Sequence, residues 1–391
     1  MKLFLLAGEP SGDKLGAALM AGLKELSPGI VFEGVGGAAM RAVGLNSLFP
    51  MDELSVMGIA EVLPKYPALR RRLHQTAAAC LAAEPDALLT IDSPDFSLRL
   101  AKLVREKSHL KTIHYVAPSV WAWRPGRAAK MARHIDHVLA LLPFEPPYME
   151  AAGMTCDFVG HPVVAERQAT KPEADAFRAA YEIADAPLIL VLPGSRKSEV
   201  SRLSTVFGDT VRHVLSARPE ARVVVPAARP VAAAVQDAVR DWPGAPIVID
   251  PRDDAQAEDK KRAAFGAADI ALAASGTVSL ELAASATPMV IAYDLSWLSW
   301  QIMSRMARID TVTLVNLIVG QNIVPEFLGP ACKPDDIAKA MVTLLDDKSA
   351  RLKQLAAMNT TMVKLGQEGE APGLRAARSV LNVVRQGQQI L

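Results

Sequence analysis

Two short polar segments, at 91–97 and 115–124, each follow an apolar run of strand type. In an open parallel sheet, ligands bind in the crevice beyond the carboxyl ends of the strands. The side chains expected to point into that crevice are two carboxylates, two indoles and one guanidinium, namely Asp92, Asp95, Trp121, Trp123 and Arg124. Such a convergence of polar and aromatic groups is typical of a binding site rather than of a hydrophobic core.

Asp95 is the candidate general base. A carboxylate at the edge of a crevice can take a proton from an acceptor hydroxyl. The positive end of the helix expected from Phe96 favours the ionised form, which suits a base better than an acid. The alternative is that Asp95 merely caps that helix, with Pro94 setting the turn. For an isolated SPDF sequence, the capping role would be preferred.

A third polar turn, AGEPSGD at 7–13, closes the first apolar run. Gly8 and Gly12 permit a tight turn, and Ser11 and Asp13 can cap the helix that follows. Two interpretations stay open at this point: a substrate-binding turn, or an ordinary β–turn–helix with good caps.

A turn in the second half of the chain, LPGSRKSE at 192–199, combines a helix start with anion-binding groups. Gly194 and Ser195 offer backbone N–H groups and a hydroxyl. Arg196 adds a planar guanidinium suited to phosphate, and one such charged hydrogen bond contributes roughly 1.5–3 kcal/mol. The helix dipole adds only ~0.3–1 kcal/mol, so Arg196 should dominate a diphosphate site. The alternative is a capped helix with a surface arginine.

A second anion site is expected in ASGTVSLE at 274–281, where the helix-start residues are Ser275, Gly276 and Thr277. Glu281 lies one helical turn on from Thr277, on the same face, and can accept two ribose hydroxyls. The two turns together predict a site for a nucleotide. Neither turn contains GxGxxG or GxxxxGK[ST], so the sequence gives little support to a dinucleotide site or a P-loop.

Composition limits the class of protein. The 391 residues suffice for two domains, and 43 Lys and Arg nearly balance 42 Asp and Glu, which argues against a general nucleic-acid binder. Three scattered cysteines fit a reducing cytoplasm. Glu9 interrupts the first apolar run, and no apolar stretch reaches 18 residues, so we expect neither a signal peptide nor a membrane span. His134 and His137 lack a nearby third ligand, so we expect no metal site.

Strand-type and helix-type runs alternate along nearly the whole chain, which predicts an α/β fold with parallel sheets buried on both faces. The polar segment at 165–175, which contains a proline, is the expected linker. We therefore predict a first domain over 1–165 and a second over 166–373, with a cleft between them.

The segment 56–73 combines an apolar stripe with a basic cluster. On a membrane surface, three arginines at about 1 kcal/mol each would give roughly 100-fold enrichment. The other interpretation is an ordinary amphipathic helix packed on the sheet, and both stay open. The residues concerned are Met57, Ile59, Val62, Leu63, Tyr66 and Leu69 in the stripe, and Arg70, Arg71 and Arg72 in the cluster.

In this order, the motifs resemble those of bacterial lipid-A-disaccharide synthases. The resemblance covers nearly the whole chain, and the run HYVAPSVWAWR is highly specific. It implies a GT-B fold of two Rossmann-like domains, with the nucleotide on the second and a C-terminal helix near 374–391 packing back on the first. The matching runs lie at 7–13, 57–63, 91–96, 114–124, 142–146, 158–162, 192–196, 274–277 with Glu281, 288–293, 314–320 and 324–328.

The resemblance implies an inverting hexosyltransferase that needs neither cofactor nor metal. It would join UDP-2,3-diacylglucosamine to 2,3-diacylglucosamine 1-phosphate, giving a β-1,6-linked disaccharide 1-phosphate and UDP. The setting would be the cytoplasmic face of the inner membrane of a Gram-negative bacterium, with peripheral attachment, and a homodimer is compatible with it. Two alternatives stay open: another GT-B UDP-sugar enzyme, with a different acceptor or an epimerase activity, and a non-catalytic two-domain ligand-binding protein.

The resemblance also assigns roles to residues. Asp95 would deprotonate the acceptor hydroxyl, Arg196 and the two helix starts would stabilise the leaving UDP, and Asn316 would bind near the donor. The region 57–69 would receive acyl chains or the bilayer edge. The acceptor side would be lined by Glu9, Ser11, Asp13, Trp121, Trp123 and Arg124.

The sequence departs from the family pattern at four positions, all in the second half. They bear on the details of donor contact more than on the reaction. The departures are Val315 in place of Pro, Gln321 where Arg is expected, Asp294 in place of the Arg that often follows Tyr293, and Gly329 where Gln is usual.

Overall fold

The computed structural model divides into two compact units, one formed by residues 1–165 with 365–391 and the other by 166–364. It describes the backbone of residues 1–54, 59–124, 126–295, 300–301, 305–306 and 309–388, with their side chains except at 59–65 and 387–388.

The first unit is built on a seven-stranded parallel sheet, with strand order β3-β2-β1-β4-β5-β6-β7. Its strands are β1 (Lys2–Ala7), β2 (Val31–Val35), β3 (Asn46–Ser47), β4 (Ala87–Ile91), β5 (Lys111–Tyr115), β6 (His137–Ala140) and β7 (Thr155–Phe158). Its helices are α1 (Pro10–Leu26), α2 (Ala38–Ala42), α3 (Ile59–Ala83), α4 (Pro94–Arg105), α5 (Gly126–Met131), α6 (Pro146–Glu150) and the C-terminal helix, α15 (Pro372–Gln388).

Alternation along β1 shows why this sheet is covered on both faces. Leu3 and Leu5 pack into a cluster with residues of α1 and α15, whereas Phe4 and Leu6 pack into a cluster on the other face. Because successive side chains of a strand point to opposite faces, a continuous apolar strand requires helices on both sides.

The second unit contains a six-stranded parallel sheet, with strand order β10-β9-β8-β11-β12-β13. Its strands are β8 (Leu188–Leu192), β9 (Arg222–Pro226), β10 (Ile247–Ile249), β11 (Ile270–Ala273), β12 (Met289–Tyr293) and β13 (Glu326–Leu328). Its helices are α7 (Lys171–Ala180), α8 (Lys197–Ala217), α9 (Ala232–Val239), α10 (Ala257–Ala267), α11 (Val278–Ala284), α12 (Leu314–Val319), α13 (Pro334–Asp346) and α14 (Lys348–Lys364).

The C-terminal helix α15 packs along α1 in the first unit. The two helices approach closely because two glycines face each other: a Cβ on Gly22 would lie 2.9 Å from the carbonyl oxygen of Gly373. Ser379 of α15 also bonds to the sheet, since its hydroxyl lies 2.8 Å from Nε2 of His137 and 2.6 Å from a carboxylate oxygen of Asp157. His137 is thus engaged in a buried hydrogen-bond network.

Several predicted boundaries need correction. The expected linker at 165–175 runs into a helix, because Thr170 and Glu173 form a capping box that starts α7 at Lys171. The helix predicted from Pro334 to about Leu365 is two helices, α13 and α14, which meet at Asp347. The short strands β3 and β13 were not predicted, and most of the helix predicted at 298–306 lies outside the described residues.

No helix within the described part of the chain combines the length and the apolar character needed to cross a membrane.

Candidate functional site

The strand order of each sheet reverses at one point, and the motifs lie there. In the first sheet β1 and β4 are neighbours with β2 and β5 on their outer sides, and in the second sheet β8 and β11 hold the equivalent positions. Ligands of open α/β sheets bind beyond the carboxyl ends of the strands at such a switch point. AGEPSGD and IDSPDF follow β1 and β4, while LPGSR and ASGT follow β8 and β11.

At the first switch point, the turns after β1 and β4 are joined by two side-chain hydrogen bonds. Ser11 Oγ donates to Asp92 Oδ2 at 3.2 Å, and Ser93 Oγ donates to Glu9 Oε1 at 3.1 Å. The approach is close, because a Cβ on Gly8 would lie 2.8 Å from Ser93 Oγ. The structure therefore brings Glu9, Ser11 and Asp92 together at the ends of β1 and β4.

Three residues at the ends of β4 and β5 have strained backbone conformations. Asp92 and Ser93 have φ of 54° and 44°, and Val116, just after β5, has φ of 87°. A β-branched residue with positive φ is a genuine outlier. Strained residues of this kind cluster at active sites and ligand clamps, where the surrounding structure holds them in place. The strain supports assigning function to this edge of the sheet.

Asp95 is the second residue of α4 and is exposed. The residue that precedes the helix is Ser93, so Asp95 does not take the capping position considered from the sequence. Among the described residues, its carboxylate forms no hydrogen bond and no ion pair, and it sits in the first helical turn, where the dipole favours a negative charge. A carboxylate without a hydrogen-bond partner is what a general base requires.

Asp13 has a different role from the one predicted. It does not cap α1, because that helix already begins at Pro10, and it is only 6% exposed. Its carboxylate accepts the backbone N–H groups of Gly37, Ala39 and Met40 at 2.8–3.0 Å. These contacts satisfy the first N–H groups of α2. Asp13 therefore holds the start of α2 against α1, while Ser11 lies inside α1 rather than capping it.

The two tryptophans of the loop after β5 are held in different ways. The Arg124 guanidinium lies 4.2 Å from the ring centroid of Trp123, a cation–π contact. Trp121 packs edge-to-face on Phe144 with centroids 5.1 Å apart, and its indole N–H donates to Glu145 Oε1 at 3.3 Å. The loop thus presents two partly buried aromatic rings and an exposed guanidinium.

At the second switch point, Gly194 has φ of 119°, which permits the turn into α8. The N–H groups of Ser195 and Arg196, expected to bind an anion, donate to Glu199 Oε2 at 3.0 and 3.2 Å. The Arg196 guanidinium lies 3.3 Å from Glu199 Oε1 and remains 64% exposed. The Glu199 carboxylate therefore occupies the predicted phosphate position.

The neighbouring turn after β11 is open. Gly276 and Thr277 are exposed, Ser275 is half-buried, and a Cβ on Gly276 would meet no atom within 4 Å. Glu281, the predicted ribose ligand, pairs with Lys261 of α10 at 2.9 Å. The Lys261 ammonium also lies 5.2 Å from the ring centroid of Phe265. Lys261 thus holds the Glu281 carboxylate in position.

Asn316, predicted to bind near the donor, is buried. Its side-chain amide donates to the carbonyl oxygen of Val324 at 2.9 Å, and its amide oxygen accepts the N–H groups of Ile323 and Val324 at 3.0 and 2.9 Å. Glu326 accepts the N–H groups of Val312 and Thr313, just before α12, at 3.2 and 2.8 Å. Asn316 is 1% exposed and fastens α12 to the segment before β13. Its hydrogen-bonding groups are committed to the protein.

Two of the departures from the family pattern have local explanations. Gly329 has φ of 52°, and a Cβ there would lie 2.5 Å from the Trp300 ring, so glycine suits this position. Asp294 lies 3.7 Å from the guanidinium of Arg202 on α8, so the acidic residue has a basic partner. Val315 is fully buried and Gln321 is exposed, and nothing in the structure explains either change.

The stripe and basic cluster of α3 are partly described. Met57 and the side chains of Ile59, Val62 and Leu63 lie outside the described residues, whereas Tyr66 is 48% exposed and Leu69 is half-buried. Arg72 forms a bidentate ion pair with Glu53 and lies over the Phe49 ring. Only Arg70 and Arg71 of the three predicted arginines are exposed.

Sequence reasoning missed four polar residues that the structure places beside predicted site residues of their own unit: Ser93 and Glu145 in the first unit, and Glu199 and Lys261 in the second. Glu145 and Glu199 lie within motifs already singled out, LPFEP and LPGSRKSE, and a glutamate between Phe144 and Pro146 was a signal. Lys261 carries no such signal, since its partner lies 20 residues away in the chain. Within the described residues, no three His, Cys, Asp or Glu side chains group closely enough to hold a metal ion.

Comparison with known proteins identifies the family. The profile of the family described as lipid-A-disaccharide synthetase matches residues 3–377. The chain belongs to the lipid-A-disaccharide synthase family. The lipid-A-disaccharide synthase of Ruegeria pomeroyi is 60% identical over 384 residues, covering 98% of this chain and 95% of the relative. That of Rhodospirillum centenum is 48% identical, covering 99% and 97%. The resemblance inferred from the motifs is confirmed.

Solved structures confirm the fold class. The UDP-GlcNAc 2-epimerase of Neisseria meningitidis, bound to UDP-GlcNAc, aligns with a TM-score of 0.66 at 12% identity, covering 99% of this chain and all of that one. The UDP-GlcNAc 2-epimerase of Methanocaldococcus jannaschii, in complex with UDP-GlcNAc and UDP, aligns with a TM-score of 0.59 at 13% identity. The α/β fold with two Rossmann-like parallel sheets, predicted as GT-B, is that of UDP-sugar enzymes.

Proposed function

We propose that the chain transfers a diacylglucosaminyl group from UDP-2,3-diacylglucosamine to the 6-hydroxyl of 2,3-diacylglucosamine 1-phosphate. The observation that carries this proposal is membership of the family over residues 3–377, with the family's motifs at both switch points. The chain is a glycosyltransferase that forms the lipid A disaccharide, and the proposal adds its substrates and the roles of its residues.

The reaction follows from the chemistry of the two turns. The acceptor oxygen attacks the anomeric carbon in line as the bond from that carbon to the UDP oxygen breaks, so the configuration inverts. The proton of the acceptor hydroxyl passes to Asp95, and the electron pair of the broken bond leaves with UDP. A positioned carboxylate suits this step, since the hydroxyl becomes acidic only as the new bond forms.

Charge builds on the departing diphosphate, and groups aimed at that charge lower the barrier. We assign this role to Arg196 with the turns at Gly194–Ser195 and Ser275–Thr277, none of which requires a metal ion. Glu281 binds the ribose hydroxyls. Because Glu199 occupies the N–H groups of Ser195 and Arg196, the diphosphate has to displace its carboxylate.

On the acceptor side, we assign substrate contact to Glu9, Ser11, Trp121, Trp123 and Arg124. The Arg124 guanidinium is exposed and suits the 1-phosphate, while the faces of the two indoles suit a sugar ring or the start of an acyl chain. The hydrogen bonds that join Glu9 and Ser11 to the turn after β4 hold this side in one geometry.

We further propose that the enzyme works at the cytoplasmic face of the inner membrane, attached peripherally through the segment 57–72. Exposed Tyr66, Arg70 and Arg71 support this location, because two arginines near an anionic surface contribute about 1 kcal/mol each. Binding to vesicles with and without anionic lipid tests it, with Arg70→Ala and Arg71→Ala combined as the variant.

A homodimer stays a prediction, which light scattering after size-exclusion chromatography measures.

The experiment that tests the function measures UDP release from UDP-2,3-diacylglucosamine in detergent with EDTA, with and without 2,3-diacylglucosamine 1-phosphate. We expect acceptor-dependent release and a disaccharide 1-phosphate by mass spectrometry. Release without acceptor, or interconversion of the donor sugar, would point instead to another UDP-sugar activity. Tight UDP binding without any turnover would point to a binding protein.

A further inference from the structure

Glu145 joins two segments of the first unit. It lies in the turn after β6, is 4% exposed, and divides its two carboxylate oxygens between two tasks. Oε2 accepts the backbone N–H groups of Leu141 and Leu142 at 3.1 and 2.9 Å, within its own turn. Oε1 accepts the indole N–H of Trp121 at 3.3 Å, in the loop after β5. Glu145 thus fixes its own turn and reaches Trp121 in the loop after β5.

The Glu145 carboxylate has no basic partner among the described residues, and its three hydrogen-bond donors are uncharged. Burial raises the pKa of Glu145 to about 7. Burying an unpaired carboxyl is costly, and the two backbone N–H groups alone could be satisfied by a shorter polar side chain. The hydrogen bond to Trp121 is the contact that requires a side chain as long as that of glutamate.

The same turn fixes the Trp121 ring in a second way. Phe144, the neighbour of Glu145, packs against the ring at an interplanar angle of 83° with centroids 5.1 Å apart. The ring is therefore held by an aromatic contact and by its N–H, which together leave one orientation. Trp123 lacks such a contact with this turn and instead stacks with Arg124.

We propose that Glu145 is a positioning residue for acceptor binding, which orients Trp121 through its indole N–H and thereby holds the loop after β5 against the first switch point. This inference rests on the proposed function, in which Trp121 contacts the acceptor. It predicts that losing the Glu145–Trp121 hydrogen bond impairs binding of the acceptor sugar and leaves the UDP site untouched.

Two substitutions remove the hydrogen bond from opposite sides. Glu145→Gln keeps the size of the side chain but leaves one acceptor oxygen, which cannot serve both Trp121 and the backbone of its own turn. Trp121→Phe removes the indole N–H, keeps an aromatic ring against Phe144, and leaves the backbone contacts of Glu145 intact. It carries the test if the Glu145 variant does not fold. Glu150→Gln, at an exposed glutamate of α6, is the matched control.

We expect each variant to raise the KM for 2,3-diacylglucosamine 1-phosphate about tenfold, with kcat and UDP affinity changed by less than about twofold. The double variant should be no worse than the more impaired single variant, because both changes remove the same hydrogen bond. The control should match the parent chain. An unchanged acceptor KM in a folded variant, or additive effects in the double variant, would overturn the positioning role.

A second readout does not depend on activity. In a sample labelled with ¹⁵N-tryptophan, Trp121→Phe assigns the indole N–H resonance of Trp121, and Glu145→Gln should shift that resonance while the control leaves it in place. An unshifted resonance would show that the hydrogen bond does not form and would overturn the proposal. If Glu145→Gln shifts this resonance but the parent chain shows no acceptor-dependent UDP release, the proposed function fails and the assignment of Glu145 to acceptor binding fails with it.

Discussion

Glu199 Oε2 accepts the backbone N–H of Arg196 at 3.2 Å, while Glu199 Oε1 lies 3.3 Å from the guanidinium of the same residue. The residue expected to bind the diphosphate is therefore already bound to a carboxylate, three positions further along α8. A phosphate group can take this position only if the carboxylate leaves it, so the affinity for UDP reports a competition between two anions.

This competition predicts the effect of Glu199→Gln. A neutral amide opposes the incoming phosphate less than a carboxylate does, so we expect UDP to bind about tenfold more tightly, equivalent to ~1.4 kcal/mol. Isothermal titration calorimetry with UDP measures the change, and Glu220→Gln, an exposed glutamate of the same unit, is the control. Weaker binding would mean that Glu199 organises the site instead of competing for it.

Arg196→Ala should weaken UDP binding by at least about tenfold, since the guanidinium supplies a charged hydrogen bond to the diphosphate. Uridine, which has no phosphate, should bind the variant and the parent chain alike. Arg212→Ala, an exposed arginine later in α8 that pairs with Asp209, is the control. Equal UDP affinity in parent and variant would remove Arg196 from the diphosphate site.

Asp95→Asn should abolish turnover in practice, with kcat falling by about 10²- to 10⁴-fold, because the amide cannot accept the proton. UDP affinity and the melting temperature should stay close to those of the parent chain. The matched control is Asp335→Asn, because Asp335 also follows a proline at the second position of its helix, α13. A joint loss of stability and turnover would mark Asp95 as a structural residue.

Lys261→Met tests how Glu281 is held. Methionine keeps an apolar stem against Phe265 but removes the charge that lies 2.9 Å from Glu281. We expect the preference for UDP over 2′-deoxy-UDP to fall, because a less ordered carboxylate discriminates the ribose hydroxyls less. Lys260→Met, at the neighbour that pairs with Asp254, is the control. An unchanged preference would separate Glu281 from ribose recognition.

Stability should depend on pH through Glu145. Its pKa is raised from 4.5 to about 7 by burial, so between these values the unfolded chain has released a proton that the folded chain still holds. The folded state then binds more protons, and its stability falls as the pH rises through this window. Urea unfolding at several pH values should show that Glu145→Gln removes this decline. A parallel pH dependence of stability in parent and variant would refute the assignment of this decline to Glu145.

Most strands and helices could be predicted because each depends on a local pattern. The apolar run ALLTI predicts β4 with its observed bounds. The motifs lie at strand ends because the turns there leave polar side chains available to bind a ligand. Side-chain roles were less accessible, because they depend on distant partners. Asp13 finds its partners in α2, and Asn316 finds its partners in the segment before β13. Neither the 24-residue separation between Asp13 and Gly37 nor the bent segment at 311–324, which includes α12, leaves a periodic signal in the sequence.

The contact between α1 and α15 has a consequence for biosynthesis. Unit 1 is built from two separated stretches of chain, whereas unit 2 is one continuous stretch between them. On the ribosome, the face of α1 around Gly22 stays without its helix until all of unit 2 has emerged. Unit 2 can therefore complete its fold first, although nascent domains usually fold from the N-terminus onward. Until then the apolar surface of α1 is available to a chaperone.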